Sequence, residues 1–203
     1  MADVLFDEYY GDIALQVPGA PEPLIDRAIV RATRTLCYES EYWRVTTDPM
    51  MVRNGVVELD LPTNSEIVRP LWVRLGEREL KAHSDHSLMG VQPGLPRGYV
   101  VDADLLTLVP QPDGVIDERV TARLVLQPTR SAPVVPEAVG RRFYEAIVSG
   151  ALSYLCAQVD QPWGNAELAQ LHAGGFQRQI ALARRRAGSE GAHVPRSIVY
   201  GGL

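Results

Sequence analysis

Apolar positions recur at helical spacing near the start of the chain, at strand spacing through its middle, and at helical spacing again towards its end. Ile25, Ile29, Ala32 and Leu36 fall at i, i+4, i+7 and i+11, a single stripe along one face of a helix. Arg27, Arg31 and Arg34 keep similar spacing on the opposite face. Pro23 suits a first helical turn, where its missing N–H costs nothing. The pattern predicts a helix from Pro23 to Tyr42 with an apolar side and a basic side.

From Val45 to Gln127 the period shortens to that of strands. Asn54-Gly55 separates Met50-Met51-Val52 from Val56-Val57-Glu58-Leu59, a strong short-range hairpin signal. Leu71 to Leu75 and Glu79 to Ala82 flank Gly76-Glu77, and Tyr99 to Val101 and Leu105 to Val109 flank Asp102-Ala103-Asp104. Arg119 to Leu126 alternates in part. Prolines 93, 96, 110, 112 and 128 fall between these runs, where they break no ladder. Short strands at regular spacing imply an antiparallel sandwich or small barrel.

Helical spacing returns at Pro136. Val139, Phe143, Ala146, Gly150, Tyr154 and Ala157 form one stripe, and Val148, Leu152 and Leu155 lie on another side, so this helix is buried or covered by a neighbour. After Asp160-Gln161-Pro162, a last helix runs from about Ala166 to Ala187, with Ala169, Ala173, Phe176, Ile180, Ala183 and Ala187 on one face. Gly174-Gly175 inside it points to a kink or a close packing partner. The expected class is α+β: a helical bundle (N-terminal helix plus C-terminal helical hairpin) with an inserted antiparallel β domain and an extended C-terminal arm. The divisions are a lead at 1–22, helices at 23–44 and 134–187, the β insertion at 45–133, and the arm at 188–203.

Composition fits a globular chain: 46% of the 203 residues are hydrophobic and 22% charged. The formal net charge of −5 argues against wholesale nucleic-acid binding and leaves room for a local basic patch. Cys37 and Cys156 sit in helical apolar patterns and read as buried free thiols in a reducing compartment. Met1 to Val4 carries no basic segment of the signal-peptide kind. The apolar stretch Ala146 to Ala157 falls short of the roughly 20 residues a membrane span takes. Synthesis in the cytoplasm and no membrane span are therefore expected.

Chemistry-bearing motifs are sparse. His83-Ser84-Asp85-His86 has metal-ligand residue types but too few ligands, since His172, His193 and both cysteines lie in other segments. No G-x-S-x-G elbow is present, and Ser149 falls mid-helix. Asp102 and Asp104 are explained by a turn. Gly174-Gly175 and Gly201-Gly202 lack the strand and helix that a phosphate-binding loop needs. The chain is therefore expected to be no enzyme, with no catalytic, cofactor-binding or metal residue.

The arginines carry more. The Arg27, Arg31, Arg34 face and the triplet Arg184-Arg185-Arg186 read as solvated helix surface, as contacts for an acidic partner, or as contacts for DNA. The tail after Gly188 keeps Ile198, Val199 and Tyr200 in a glycine- and proline-containing stretch. It reads either as a frayed end or as a segment ordered by a partner.

Several runs together resemble the tail adaptor proteins of short-tailed bacteriophages, also called head–tail connector or tail tubular A proteins. They are Ile25-Asp26-Arg27-Ala28-Ile29 through Tyr42-Trp43-Arg44, Leu61-Pro62 with the strands around Trp72, Leu106 to Pro112, Gly150 to Leu155, and Phe176 to Ala183. The resemblance is one of pattern over residues 20–187. It implies a structural virion protein of the tail or neck, with about twelve copies in a homo-oligomeric ring beneath the portal. Such a ring joins the capsid to the tail nozzle and continues the DNA channel, through which DNA passes without specific binding. Portal protein, tail nozzle protein and tail fibres are the implied partners. Arg184, Arg185, Arg186, Ile198, Val199 and Tyr200 would dock on the portal, and Arg27, Arg31 and Arg34 would meet a subunit or partner. The small residues Ala146, Gly150 and Ala157 would let subunits pack closely. A DNA-binding module using the Arg27, Arg31, Arg34 face is the alternative reading.

Overall fold

The computed structural model describes residues 3–83, 93–112 and 114–190. They divide into two compact units: the chain up to Trp43 together with the chain from Leu126 onward, and Arg44–Val125.

The first unit is built round helix α2 (Glu22–Ser40). Pro21 precedes it in an extended conformation, Pro23 occupies its first turn, and Glu41 ends it in the left-handed region at φ 52°. Ile25, Ile29, Ala32 and Leu36 are all fully buried, as their spacing predicts. They face α4 (Tyr144–Cys156) and α5 (Ala166–Glu190). Thr33 and Ser40, polar yet buried, donate their hydroxyls to the carbonyls of Ile29 and Leu36 at 2.9 and 2.6 Å, which satisfies them inside the helix. The three helices approach closely at Gly150, where an added Cβ would stand 2.8 Å from the Ala32 methyl and 2.9 Å from the Phe176 ring.

The N-terminal stretch is part of this unit. Strand β1 (Asp3–Leu5) pairs antiparallel with β11 (Val134–Pro136), with Val4 opposite Val135. A 3₁₀ turn at Phe6–Tyr9 and helix α1 (Tyr10–Ala14) then bury Phe6, Tyr9, Ile13 and Val17. The predicted helix after Pro136 is divided in two. A short α3 (Glu137–Gly140) stops at a turn over 141–143 before α4 begins. Among the described residues no helix is long and apolar enough to cross a membrane.

The second unit is one sheet. β2 (Arg44–Thr46), β3 (Met50–Arg53), β4 (Val56–Glu58), β5 (Ser65–Leu75), β6 (Arg78–Glu79), β7 (Lys81–Ala82), β8 (Gly98–Asp102), β9 (Leu105–Val109) and β10 (Val115–Pro128) join in nine strands. The neighbours run β6-β5-β10-β3-β4-β9-β8-β7, with β2 on β10. The two ends of that path are separated in the chain by Leu80 alone. Leu80 donates its amide to Val73 of β5 at 2.8 Å, and Lys81 donates to Arg97 at 3.1 Å, so adjacent residues bond to opposite sides of the seam. Asn54 and Gly55, both at positive φ, make the tight turn between β3 and β4.

The expected helical bundle with an inserted antiparallel β domain is thus overturned. The protein is mixed α/β, 39% helix and 31% strand, with a nearly closed nine-stranded sheet. Turn chemistry reports neighbours in sequence, whereas this closure depends on distant pairings such as β3 with β10 and parallel β7 with β8. A register shift between Ile116 and Val120 lets β10 bend as it serves several neighbours. At its C-terminal end α5 continues to Glu190, three residues past the expected start of the arm at 188, and the rest of the expected arm, residues 191–203, lies outside those described.

Candidate functional site

The outward face of α2 opens onto a groove of about 670 Å³. Arg27, Arg31 and Arg34 line it from the helix, and Arg130 and Gln127 close it from the far side. Val30 and Tyr38 give it an apolar wall, with Tyr38 62% exposed. Glu39 is the one acidic residue among four arginines.

Two of these arginines are held in place. Arg34 donates from Nη1 to the Pro128 carbonyl at 2.5 Å, which ties α2 to the end of β10. The Arg31 guanidinium lies 4.1 Å from the centroid of the Tyr154 ring, a cation–π contact. Tyr154 is fixed in turn by a 3.1 Å hydrogen bond between its hydroxyl and that of Thr35. Arg27 and Arg130 are exposed, and among the described residues neither makes a hydrogen bond or ion pair. The groove therefore joins two positioned cations to two that remain available for an anionic group.

The triplet on α5 does not act as a block. Arg184 donates from Nε and Nη2 to the Glu39 carbonyl at 2.9 and 2.7 Å. Arg185 and Arg186 follow on an exposed stretch and, at about 100° per residue, point in different directions. Ile198, Val199 and Tyr200 lie outside the described residues, as does His86. His83 is half-buried, its ring packed so closely on Gly98 that a Cβ added there would collide with it. Among the described residues no three His, Cys, Asp or Glu side chains gather in a group able to hold a metal ion.

Both thiols are buried. Burial pushes the Cys37 thiol up to about 12 against a smaller downward pull from Arg34, and burial also raises Cys156. Neither has thiolate character near neutral pH. The paired Asp102 and Asp104 sit at the turn between β8 and β9, where Ala103 takes a φ of 52°. Asp104 also belongs to an acidic groove of about 830 Å³ with Glu58, Asp60 and Glu66.

Gln127 and Arg130 as members of the groove, and Tyr154 as the support behind Arg31, escape a reading of the sequence. Each is brought there by a packing contact across the unit, and no local spacing announces it. The pattern predicts a kink or a tight contact at Gly174 and Gly175, yet α5 runs through them. A methyl added at either would stand 3.7 Å or more from its nearest neighbour outside the helix backbone.

The first part of α5 is the other unusual surface. From Ala166 to Gly175 no residue is buried; burial begins at Phe176 and continues at Ile180, Ala183 and Ala187. Leu168, Leu171 and Leu182 lie on one exposed face, Leu171 at 63%. No protein-family model matches the chain, and no curated protein matches it.

Proposed function

We propose that the protein is a structural assembly module, a tail adaptor that forms a ring beneath a phage portal and joins the capsid to the tail nozzle. The observation that carries this reading is the bare first part of α5. An isolated helical stretch of about ten residues is marginal in water, because helices in proteins draw their stability from packing. Here that stretch, continuous with the packed part of α5, presents Leu168 and Leu171 to solvent and has none of its residues fully buried, only Ala169, His172, Gly174 and Gly175 half-buried. A partner surface that covers it, supplied by a neighbouring subunit or by the portal, explains the arrangement, and the resemblance of the chain to tail adaptors supplies the setting. Virion localisation in the tail or neck, the nozzle and fibre contacts and a ring of about twelve copies belong to the same proposal.

Cross-linking mass spectrometry on purified particles, with the copy number per particle, tests it. A ring-like copy number with links to portal or nozzle is the expected result; absence of the protein from the particle removes the reading. The second reading, a DNA-binding module, draws on the four arginines of the groove. It requires duplex binding that weakens with salt and with Arg27→Ala and Arg31→Ala, and a titration at low salt that shows no binding disposes of it.

A further inference from the structure

The arginine groove has a counterpart on the same unit. Asp7, Glu8 and Asp12 are exposed on the 3₁₀ turn and α1, and Glu22 is exposed at the start of α2, one turn before half-buried Asp26. The crowding of charge registers at Asp26, whose carboxyl is held above its ordinary value first by burial and then by Glu22 and Asp7. Just beyond α1 stands Leu15, 83% exposed. The corner thus pairs an apolar knob with exposed carboxylates, of which Asp12 accepts a hydrogen bond from Tyr144, and the groove pairs an apolar wall, Val30 and Tyr38, with four guanidinium groups. On α2 the arginines lie roughly 130° round the helix from Glu22 and Asp26. Complementary surfaces that face different ways on one molecule join copies head to tail, the kind of contact that closes rings.

We propose that the arginine groove of one copy receives the acidic corner around Asp12 and Leu15 of a second copy. The inference rests on the ring reading above for the reason that identical chains meet. Charge complementarity of this kind speeds encounter and fixes register. DNA fits the groove less well. Arg27 to Arg34 spans only about 10 Å of helix, a short track for the six to ten phosphate contacts of a duplex binder.

The test places photo-reactive p-benzoylphenylalanine at position 38, an aromatic for an aromatic, in the full chain. After irradiation at low salt, the products are mapped by mass spectrometry. The expected product is a cross-linked homodimer joined to the segment 5–15 of the second copy. Its yield should fall at least about tenfold with Arg27→Glu plus Arg130→Glu, and return when Asp7→Lys and Glu8→Lys are added to the same chain. No homodimer, a link to another segment, a yield indifferent to the reversals, or a failure of the four-fold swap to restore it overturns the proposal. Added duplex DNA that replaces the homodimer with a DNA cross-link does so as well. Electron microscopy of the same samples reads the ring separately. Links to segment 5–15 without closed rings keep the docking and remove the adaptor reading, whereas rings linked elsewhere do the reverse.

Discussion

Arg184 on α5 grips the carbonyl oxygen of Glu39 on α2 with two donors, at 2.9 and 2.7 Å. The last carbonyls of a helix have no partner within it, and Glu39 lies in the last turn of α2. The guanidinium supplies the missing bonds and brings positive charge to the negative end of the helix dipole. Arg184→Ala should therefore lower stability by about 1 kcal/mol, given the exposure of the contact. Arg184→Lys, limited to a point donor, should recover only part of it. Urea denaturation of the three proteins checks this; equal midpoints would show that the contact contributes nothing.

Gly150 is where space is tightest. With an added Cβ 2.8 Å from Ala32 and 2.9 Å from Phe176, Gly150→Val must push α2 or α5 away from α4. Overpacking of this sort costs about 1–3 kcal/mol. Thermal melts should show a clearly lowered midpoint for Gly150→Val and little change for Gly174→Ala, whose added methyl meets nothing closer than 3.7 Å. The alanine should even help, since glycine is a poor helix former.

The contrast shows what the sequence makes legible. The apolar stripe of α2 and the Asn54-Gly55 turn are local signals, and both are found where the pattern puts them. The two glycines of α5 carry the same local signal as Gly150, yet only Gly150 has a neighbour that needs the room. Closure of the sheet depends in the same way on residues far apart in the chain, so its strands are readable and their order is not. Half of the groove is visible as an arginine face on one helix. Gln127 and Arg130 join it only through the packing of other segments against α2.

Tyr144 links the acidic corner to α4. Its hydroxyl donates to the Asp12 carboxylate at 2.9 Å and lies 3.1 Å from the Glu8 carbonyl, and its ring stacks on Tyr9 at 4.7 Å. Burial, then the bond to Asp12 and the neighbouring carboxylates, push it up to about 12. An unfolded tyrosine loses its proton near 10, so above that value the unfolded state binds fewer protons than the folded one and stability falls as pH rises. The contribution is complete below about pH 10 and is lost through about pH 12. Denaturation midpoints followed across that window should decline, and Tyr144→Phe should flatten part of the decline. An unchanged slope in the variant would assign it elsewhere.

Cys37 and Cys156 should both resist a thiol reagent in the native protein, since each is only 1% exposed and burial raises each thiol. Labelling at neutral pH should accelerate in step with denaturant-induced unfolding. Rapid stoichiometric labelling of the folded chain would show that the helices open far more readily than their packing implies.

The seam at Leu80 and Lys81 bears on what would happen if copies of the chain gathered in the proposed ring. A long unpaired strand is a template on which identical chains can add strands without limit. Here the sheet path ends in β6 and β7, two residues each, and the chain itself runs from one to the other. At the two ends of the path identical chains would therefore meet only short strands to zip against, and side-chain surfaces would decide which neighbours join there.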